Sequence, residues 1–249
     1  MGEADAEQAR LRMTRWPPVL MYHAIAYGAD DPNKICVSAD TFKNQMLYLK
    51  RRNLRGVSMN ELMRAVRQGS ARGLVGLTFD DGYENFLRAA LPVLEEFGFT
   101  ATVFVVGGML GGSNSWDKAP RMRLLDARGM REAAARGAEI GAHGAHHVRL
   151  SRLDPVSLRE EVEAARRILG EVLGRRVEGL CYPYGDLNSQ VVQAVREAGY
   201  SYACGYKTEL RHSAYAIPRL YVGESDGGLR FGLKLRWGST IRWISRTLE

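Results

Sequence analysis

The chain has 249 residues, 45% of them hydrophobic and 25% charged, which is apolar material for one large domain with its own core and too much for a disordered chain. No apolar run reaches the roughly 18 residues that cross a bilayer, so a membrane-spanning helix is excluded. The formal charge of +7 favours anionic partners, but the arginines are scattered along helices and no zinc finger, basic zipper or RNA-recognition motif is present, so no nucleic-acid partner is expected.

The chain opens with a charged extension, residues 1–18, that lacks the apolar segment of a signal peptide, and Ala6 stands where a myristoylation motif has Ser or Thr. Together with three sparse cysteines, Cys36, Cys181 and Cys204, read as free thiols, this predicts a cytoplasmic protein. From Val19 onward, apolar or β-branched runs alternate with stretches of helical period. Strand Val19–Ile25 is followed by helix Thr41–Arg52, a short strand at Arg55–Met59, helix Glu61–Gln68, strand Val75–Asp80, helix Asn85–Phe97 and strand Ala101–Val106. A glycine-rich segment, "GGMLGGSNSWDKAP", leads to helix Met130–Arg136 and strand Glu139–His143. Asp154-Pro155, a capping residue with proline at the first helical position, opens the clearest helix, which places Leu158, Val162, Ala165, Leu169 and Val172 on one face and closes at Gly174. Strand Gly179–Tyr184, helix Ser189–Ala198 and strands Tyr200–Tyr206 and Ala216–Val222 complete a body of residues 19–225, ahead of a basic, tryptophan-containing segment, 226–249. Such alternation predicts parallel strands with helical crossovers, an α/β fold of the distorted (β/α)7-8 barrel type in a single domain, with its chemistry at the C-terminal ends of the strands.

Three strand ends carry reactive side chains. "GLTFDDGYENF" ends a strand on Asp80-Asp81-Gly82, "EIGAHGAHHVRL" ends one on His143, and "CYPYG" another at Cys181–Gly185. Adjacent carboxylates raise each other's pKa and suit plain structural duty badly, so something nearby should make two anions tolerable. A divalent cation would. His143 and His147 offer imidazole nitrogens and Asp81 a carboxylate, a set that leaves open positions on a zinc-like ion and frees Asp80 to act as a base. His146, between the two histidines, reads as a surface histidine or one that supports the site, not a ligand. Trp116 either offers an aromatic face to a sugar ring or pins its own loop.

In this order and with this spacing, Thr78–Gly82, His143–His147 and Pro183–Gly185 resemble the polysaccharide deacetylase family, carbohydrate esterase family 4 with its chitooligosaccharide deacetylase homology domain. The resemblance runs through "VLMYHAI", "ALPVLEEFGFTATVFV", "VVQAVREAGY" and "AIPRLYV", and looks most like the exopolysaccharide branch, in which a Tyr-His follows the first strand. It implies metal-dependent hydrolysis of the acetamide of an N-acetylated amino sugar, with Asp80 as general base and Asp81, His143 and His147 as ligands of zinc, or of cobalt or nickel. The backbone N–H of Tyr184 would help hold the oxyanion, and Tyr182, Pro183 and Gly185, with Trp116, are the candidate substrate contacts.

Three departures follow. Cys181 stands where many members carry an arginine that orients the base, the family's Asp-bearing motif with a tryptophan has no match near Tyr200–Tyr206, and no histidine after His212 supplies the usual general acid. His23 is favoured as the acid, at the end of the first strand, with His212 as the second candidate. Other readings are removal of a formyl or acetyl group from a small glycoside, nucleotide sugar or lipid-linked sugar, or a glycan-binding barrel without turnover. The C-terminal stretch from Arg230 interleaves basic residues with Trp237 and Trp243, and either packs on the barrel or a second subunit or meets an anionic membrane surface.

Overall fold

The computed structural model describes residues 17–26, 31–116, 121–206 and 213–238. Strands β1 (Val19–Tyr22), β4 (Arg55–Val57), β5 (Leu74–Phe79), β6 (Thr102–Val105), β7 (Glu139–Ala142), β8 (Gly179–Cys181) and β9 (Tyr202–Gly205) are followed by the short β10 (Ile217–Pro218) and β11 (Leu220–Tyr221). All pair in parallel in one 9-stranded sheet, and a separate two-stranded sheet joins β2 (Ala24–Ile25) to β3 (Cys36–Val37). The segment that holds β10 and β11 closes the ring. Its first half pairs with β9, Ile217 opposite Cys204, and its second half with β1, Leu220 opposite Leu20. Arg219 lies between the halves and is buried.

The barrel is distorted at its base. β4 pairs with Leu74–Gly76 at the start of β5, and its Gly56 carbonyl accepts the N–H of Thr100 ahead of β6, so β4 is wedged between β5 and β6. Between the strands run α1 (Ala39–Arg51), α2 (Met59–Gln68), α3 (Leu91–Phe97), α4 (Ala127–Ala135), α5 (Pro155–Leu173) and α6 (Ser189–Glu197), with α7 (Gly228–Gly238) last. Side chains of Ser38, Ser58, Asp126, Asp154 and Asn188 cap the starts of α1, α2, α4, α5 and α6, each accepting an otherwise orphaned N–H of the first turn. The single helix expected over Asn85–Phe97 is instead a π-turn, Phe86–Ala90, running into α3. Pro92 has no N–H to continue an α ladder, and the N–H of Leu91 bonds the carbonyl of Phe86, one residue further back than in an α-helix.

Near the base of the barrel Glu139 is buried, accepting hydrogen bonds from the hydroxyls of Thr102 (2.7 Å) and Tyr202 (2.6 Å) and from the N–H of Asn60 (2.7 Å). Burial pushes its carboxyl up against these bonds. Tyr202 reaches Glu139 across Gly179, where a Cβ would lie 2.1 Å from the tyrosine ring. Gly179→Ala is therefore expected to cost about 1–3 kcal/mol by overpacking. Urea unfolding measures it, and unchanged stability would show that the ring has room to move.

The C-terminal segment begins as a helix against the barrel. Phe231 and Leu235 of α7 are buried, with Phe231 edge-on to Tyr48 of α1 at 5.6 Å, and Arg230 and Lys234 both reach the buried carboxylate of Asp226. Leu229 and Leu233 stay exposed on the other face. Residues 239–249, with Trp243, lie outside the described residues. Among the described residues no helix is long and apolar enough to cross a membrane.

Candidate active site

Strand alternation would send the side chains of Asp80 and Asp81 to opposite faces. The backbone prevents this. Asp80 is still in the ladder, its N–H donating to the Tyr22 carbonyl at 2.9 Å, whereas Asp81 (φ 70°) and Gly82 (φ 73°) turn left-handed as the chain leaves β5. Both carboxylates thereby reach the same mouth, at a cost of about 1–2 kcal/mol for a left-handed residue with a Cβ.

Beyond β7, His143 donates its own N–H to the Val105 carbonyl (2.8 Å), and its ring Nδ1 lies 2.8 Å from the Cys181 carbonyl. A carbonyl can only accept, so Nδ1 carries a proton, which leaves Nε2 as the nitrogen that faces Asp81. That Nε2 is 3.4 Å from Asp81 Oδ1, and Nε2 of His147 is 3.3 Å from the same oxygen. All three side chains are buried, and their ligand atoms lie within 4.8 Å of one another. Burial would raise the Asp81 carboxyl, but its contacts with His143 and His147 bring it well below the usual carboxylate range. Two neutral-capable imidazoles and one ionised carboxylate converging on a point are the donor set of an open divalent site. Asp80, His143 and Cys181 form a second such group, but the fixed charge of Arg219, 2.6 Å from Asp80 Oδ1 and 2.9 Å from Cys181 Sγ, repels a cation there.

Arg219 is the residue that sequence reasoning missed. Its guanidinium grips both oxygens of Asp80, at 2.6 and 2.7 Å, and also donates to Thr78 Oγ1 (3.0 Å) and the Gly205 carbonyl (3.2 Å). Burial alone would raise the Asp80 carboxyl, yet the guanidinium outweighs it and holds the group below its ordinary value. Burial likewise pushes the Cys181 thiol up, against the pull of Arg219, so a small neutral thiol stands beside Asp80. One signal was available, since "AIPRLYV" puts a single charge inside an apolar strand run, where a buried charge demands a partner.

The remaining expected residues divide. His23 is at the site, its Nε2 4.0 Å from Asp80 Oδ2, and its buried Nδ1 has no hydrogen-bond partner among the described residues. Trp116 stacks on the ring of His147 at 4.3 Å and 18°, and Tyr184 meets the same ring edge-on at 4.7 Å. Tyr184 has left-handed backbone (φ 59°) and is 44% exposed, with the Arg149 guanidinium 4.5 Å from its ring centroid. Tyr182 is not brought to the mouth. Its ring is in the core and its hydroxyl donates to the Tyr215 carbonyl at 2.8 Å. Pro183 is buried, and Gly185 (φ 63°) makes the turn, where a Cβ would press on Tyr206 at 3.1 Å. His146 points outward, with a 66% exposed side chain, and His212 lies outside the described residues.

The family model for polysaccharide deacetylases matches residues 67–203, more than half of the chain and all three motif-bearing strand ends. The chain belongs to the polysaccharide deacetylase family. Members of this family are hydrolases that act on the amide bonds of acetylated sugars, and this deacetylase is an enzyme of that class. It is 28% identical over 222 residues to the Bacillus subtilis protein YxkH, covering 86% of this chain and 74% of that one. To the poly-β-1,6-N-acetyl-D-glucosamine N-deacetylase of Staphylococcus aureus it is 22% identical over 216 residues, 81% of this chain and 71% of that one. Its fold is shared with the Streptococcus pyogenes deacetylase PplD, solved with acetate, at a TM-score of 0.76 and 22% identity over 88% of this chain and 97% of the other. IcaB from Ammonifex degensii superimposes equally well, with a TM-score of 0.76 and 22% identity over 90% of this chain and 97% of that one.

Proposed function

We propose that this deacetylase hydrolyses the acetamide of an N-acetylated amino sugar within a glycan, releasing acetate, with Asp80 as general base. The observation that carries the reading is the meeting, at one mouth of the barrel, of an arginine-held carboxylate and a separate two-histidine, one-carboxylate set. Asp81, His143 and His147 would hold the divalent ion, zinc by the type of donors, with cobalt or nickel able to substitute. When bound, such an ion supplies Lewis acidity toward the substrate carbonyl and lowers the pKa of water.

The chain's own residues do the rest. Asp80, ionised at any pH above its lowered pKa, accepts the proton of the attacking water. The Tyr184 N–H donates to the oxygen on which negative charge develops, and its exposed ring offers an apolar face to a pyranose. His23, beside the base, delivers the proton that the departing amine needs. The likeness to a relative named for poly-β-1,6-N-acetyl-D-glucosamine supports an N-acetylglucosamine polymer as the substrate class.

The test is acetate release with added zinc, cobalt or nickel over polymeric, lipid-linked and small soluble N-acetylated sugars. Polymer is expected to react fastest, and a chelator to abolish the reaction. Silence from every sugar with every ion would leave a glycan-binding barrel in place of an enzyme of this specificity. In the same assay His23→Ala is expected to keep fold and bound metal but to lose turnover on the order of a hundredfold, as for a positioned proton donor. Near-normal turnover would remove His23 from the reaction, and His212→Ala would then be measured.

A further inference from the structure

Glu161 is an acid on the buried face of α5, in line with Leu158, Val162, Ala165 and Leu169. It is 6% exposed, and burying a carboxylate is costly unless it is fully bonded. Its partner is His146, the residue between the two proposed ligands: Oε1 accepts the His146 backbone N–H at 2.6 Å, and Oε2 lies 2.8 Å from His146 Nδ1. The carboxylate sits so close under the loop that a Cβ on Gly144 (φ 73°) would meet Oε1 at 2.9 Å.

The loop needs such an anchor. Residues 143–147 are not helical, so the four-residue spacing of His143 and His147 does not by itself put them on one face. The carbonyls of Gly144 and Ala145 are held from one side by the N–H groups of Gly107 and Gly108, each at 2.9 Å. From α5, Glu161 holds the N–H of His146. Between these supports the chain turns so that His147 adopts φ 57°, a left-handed conformation a side-chain-bearing residue avoids, and aims its Nε2 at Asp81.

We propose that Glu161 is a positioning residue of the metal site: its buried carboxylate clamps the N–H and ring of His146 and so fixes the left-handed turn that brings His147 to Asp81. The inference rests on the reading of Asp81, His143 and His147 as metal ligands. His146 then has a role of its own, as the handle of the clamp.

The full-length protein is stripped of metal, and zinc affinity is measured by competition with a chromogenic chelator, alongside the visible absorption spectrum of the cobalt form and the melting temperature of the apoprotein. Glu161→Ala is expected to weaken zinc binding on the order of ten- to a hundredfold and to alter the cobalt spectrum. Glu161→Gln, whose amide oxygen still accepts the His146 N–H, is expected to recover part of that affinity, and His146→Ala, which loses only the ring contact, to show a smaller loss. Wild-type affinity and spectrum in both Glu161 variants, with affinity lost in His147→Ala, would overturn the clamp and leave the ligand assignment standing. Wild-type affinity in His147→Ala as well would show that the ligands are misassigned, and the clamp would fall with them. Should Glu161→Ala not fold, Glu161→Gln and His146→Ala still decide: unchanged affinity and spectrum in both would overturn the proposal.

Discussion

Arg219→Met is expected to destabilise the protein by about 3–5 kcal/mol near neutrality, because it leaves the carboxylate of Asp80 buried without its partner charge. In the intact protein the folded-state pKa of Asp80 lies below its ordinary value, so the pair contributes stability at neutral pH and loses it as pH falls through that lowered pKa. Without the guanidinium, burial is opposed only by His143 and His23, so the carboxyl rises from that lowered value and the variant loses less stability than the intact protein as pH falls. The gap between the two proteins is thus widest near neutrality and narrows in acid, which urea unfolding at a series of pH values would reveal. Adding Asp80→Asn to Arg219→Met removes both charges and is expected to restore part of the loss. A gap under about 1 kcal/mol, or one that does not change with pH, would mean that the buried pair is not what holds Asp80 ionised. The same substitution is expected to move the acidic limb of the pH–rate profile upward, since a base with a raised pKa is protonated sooner.

Separating the two neighbouring carboxylates is the second large effect. Asp80→Asn is expected to keep about one divalent ion per chain and to lose turnover by a hundredfold or more, while Asp81→Asn weakens metal binding itself. Asp81 Oδ1 faces the Nε2 atoms of both histidines, whereas both oxygens of Asp80 face Arg219. Metal analysis together with acetate release decides it, and equal loss of metal in the two variants would abolish the division of roles. Asparagine at position 80 leaves the guanidinium one acceptor short of its present set, so stability is measured in parallel.

The C-terminal helix shows how far a local pattern can be read. The basic and aromatic stretch that begins at Arg230 is ambiguous as a sequence, because alternating charge and apolar bulk suits a membrane surface and a helix on a barrel alike. In the described part, Tyr48 on α1 and the buried Asp226 give Phe231 a ring to pack on and Arg230 and Lys234 a common anion. Tyr48 is far away in sequence, and Asp226, although only four residues before Arg230, serves as the anchor because the fold buries it.

The alternation of strand and helix, the Asp154 cap and the order of Asp80-Asp81, His143, His147 and the Pro183–Gly185 turn were legible from the chain alone, since each is a property of a few adjacent residues and their period. The left-handed turns at Asp81 and His147 were not, for nothing in those residue types asks for that conformation until surrounding structure imposes it. Nor could the sequence assign a partner to Asp80 or a use to Glu161. Arg219 stands 139 positions from Asp80 and meets it because the last strand closes the ring between β9 and β1. Glu161 meets His146 because α5 packs beneath the His143–His147 loop, and a charge on an apolar helix face declares only that it must be paired, while barrel closure and helix packing decide with what.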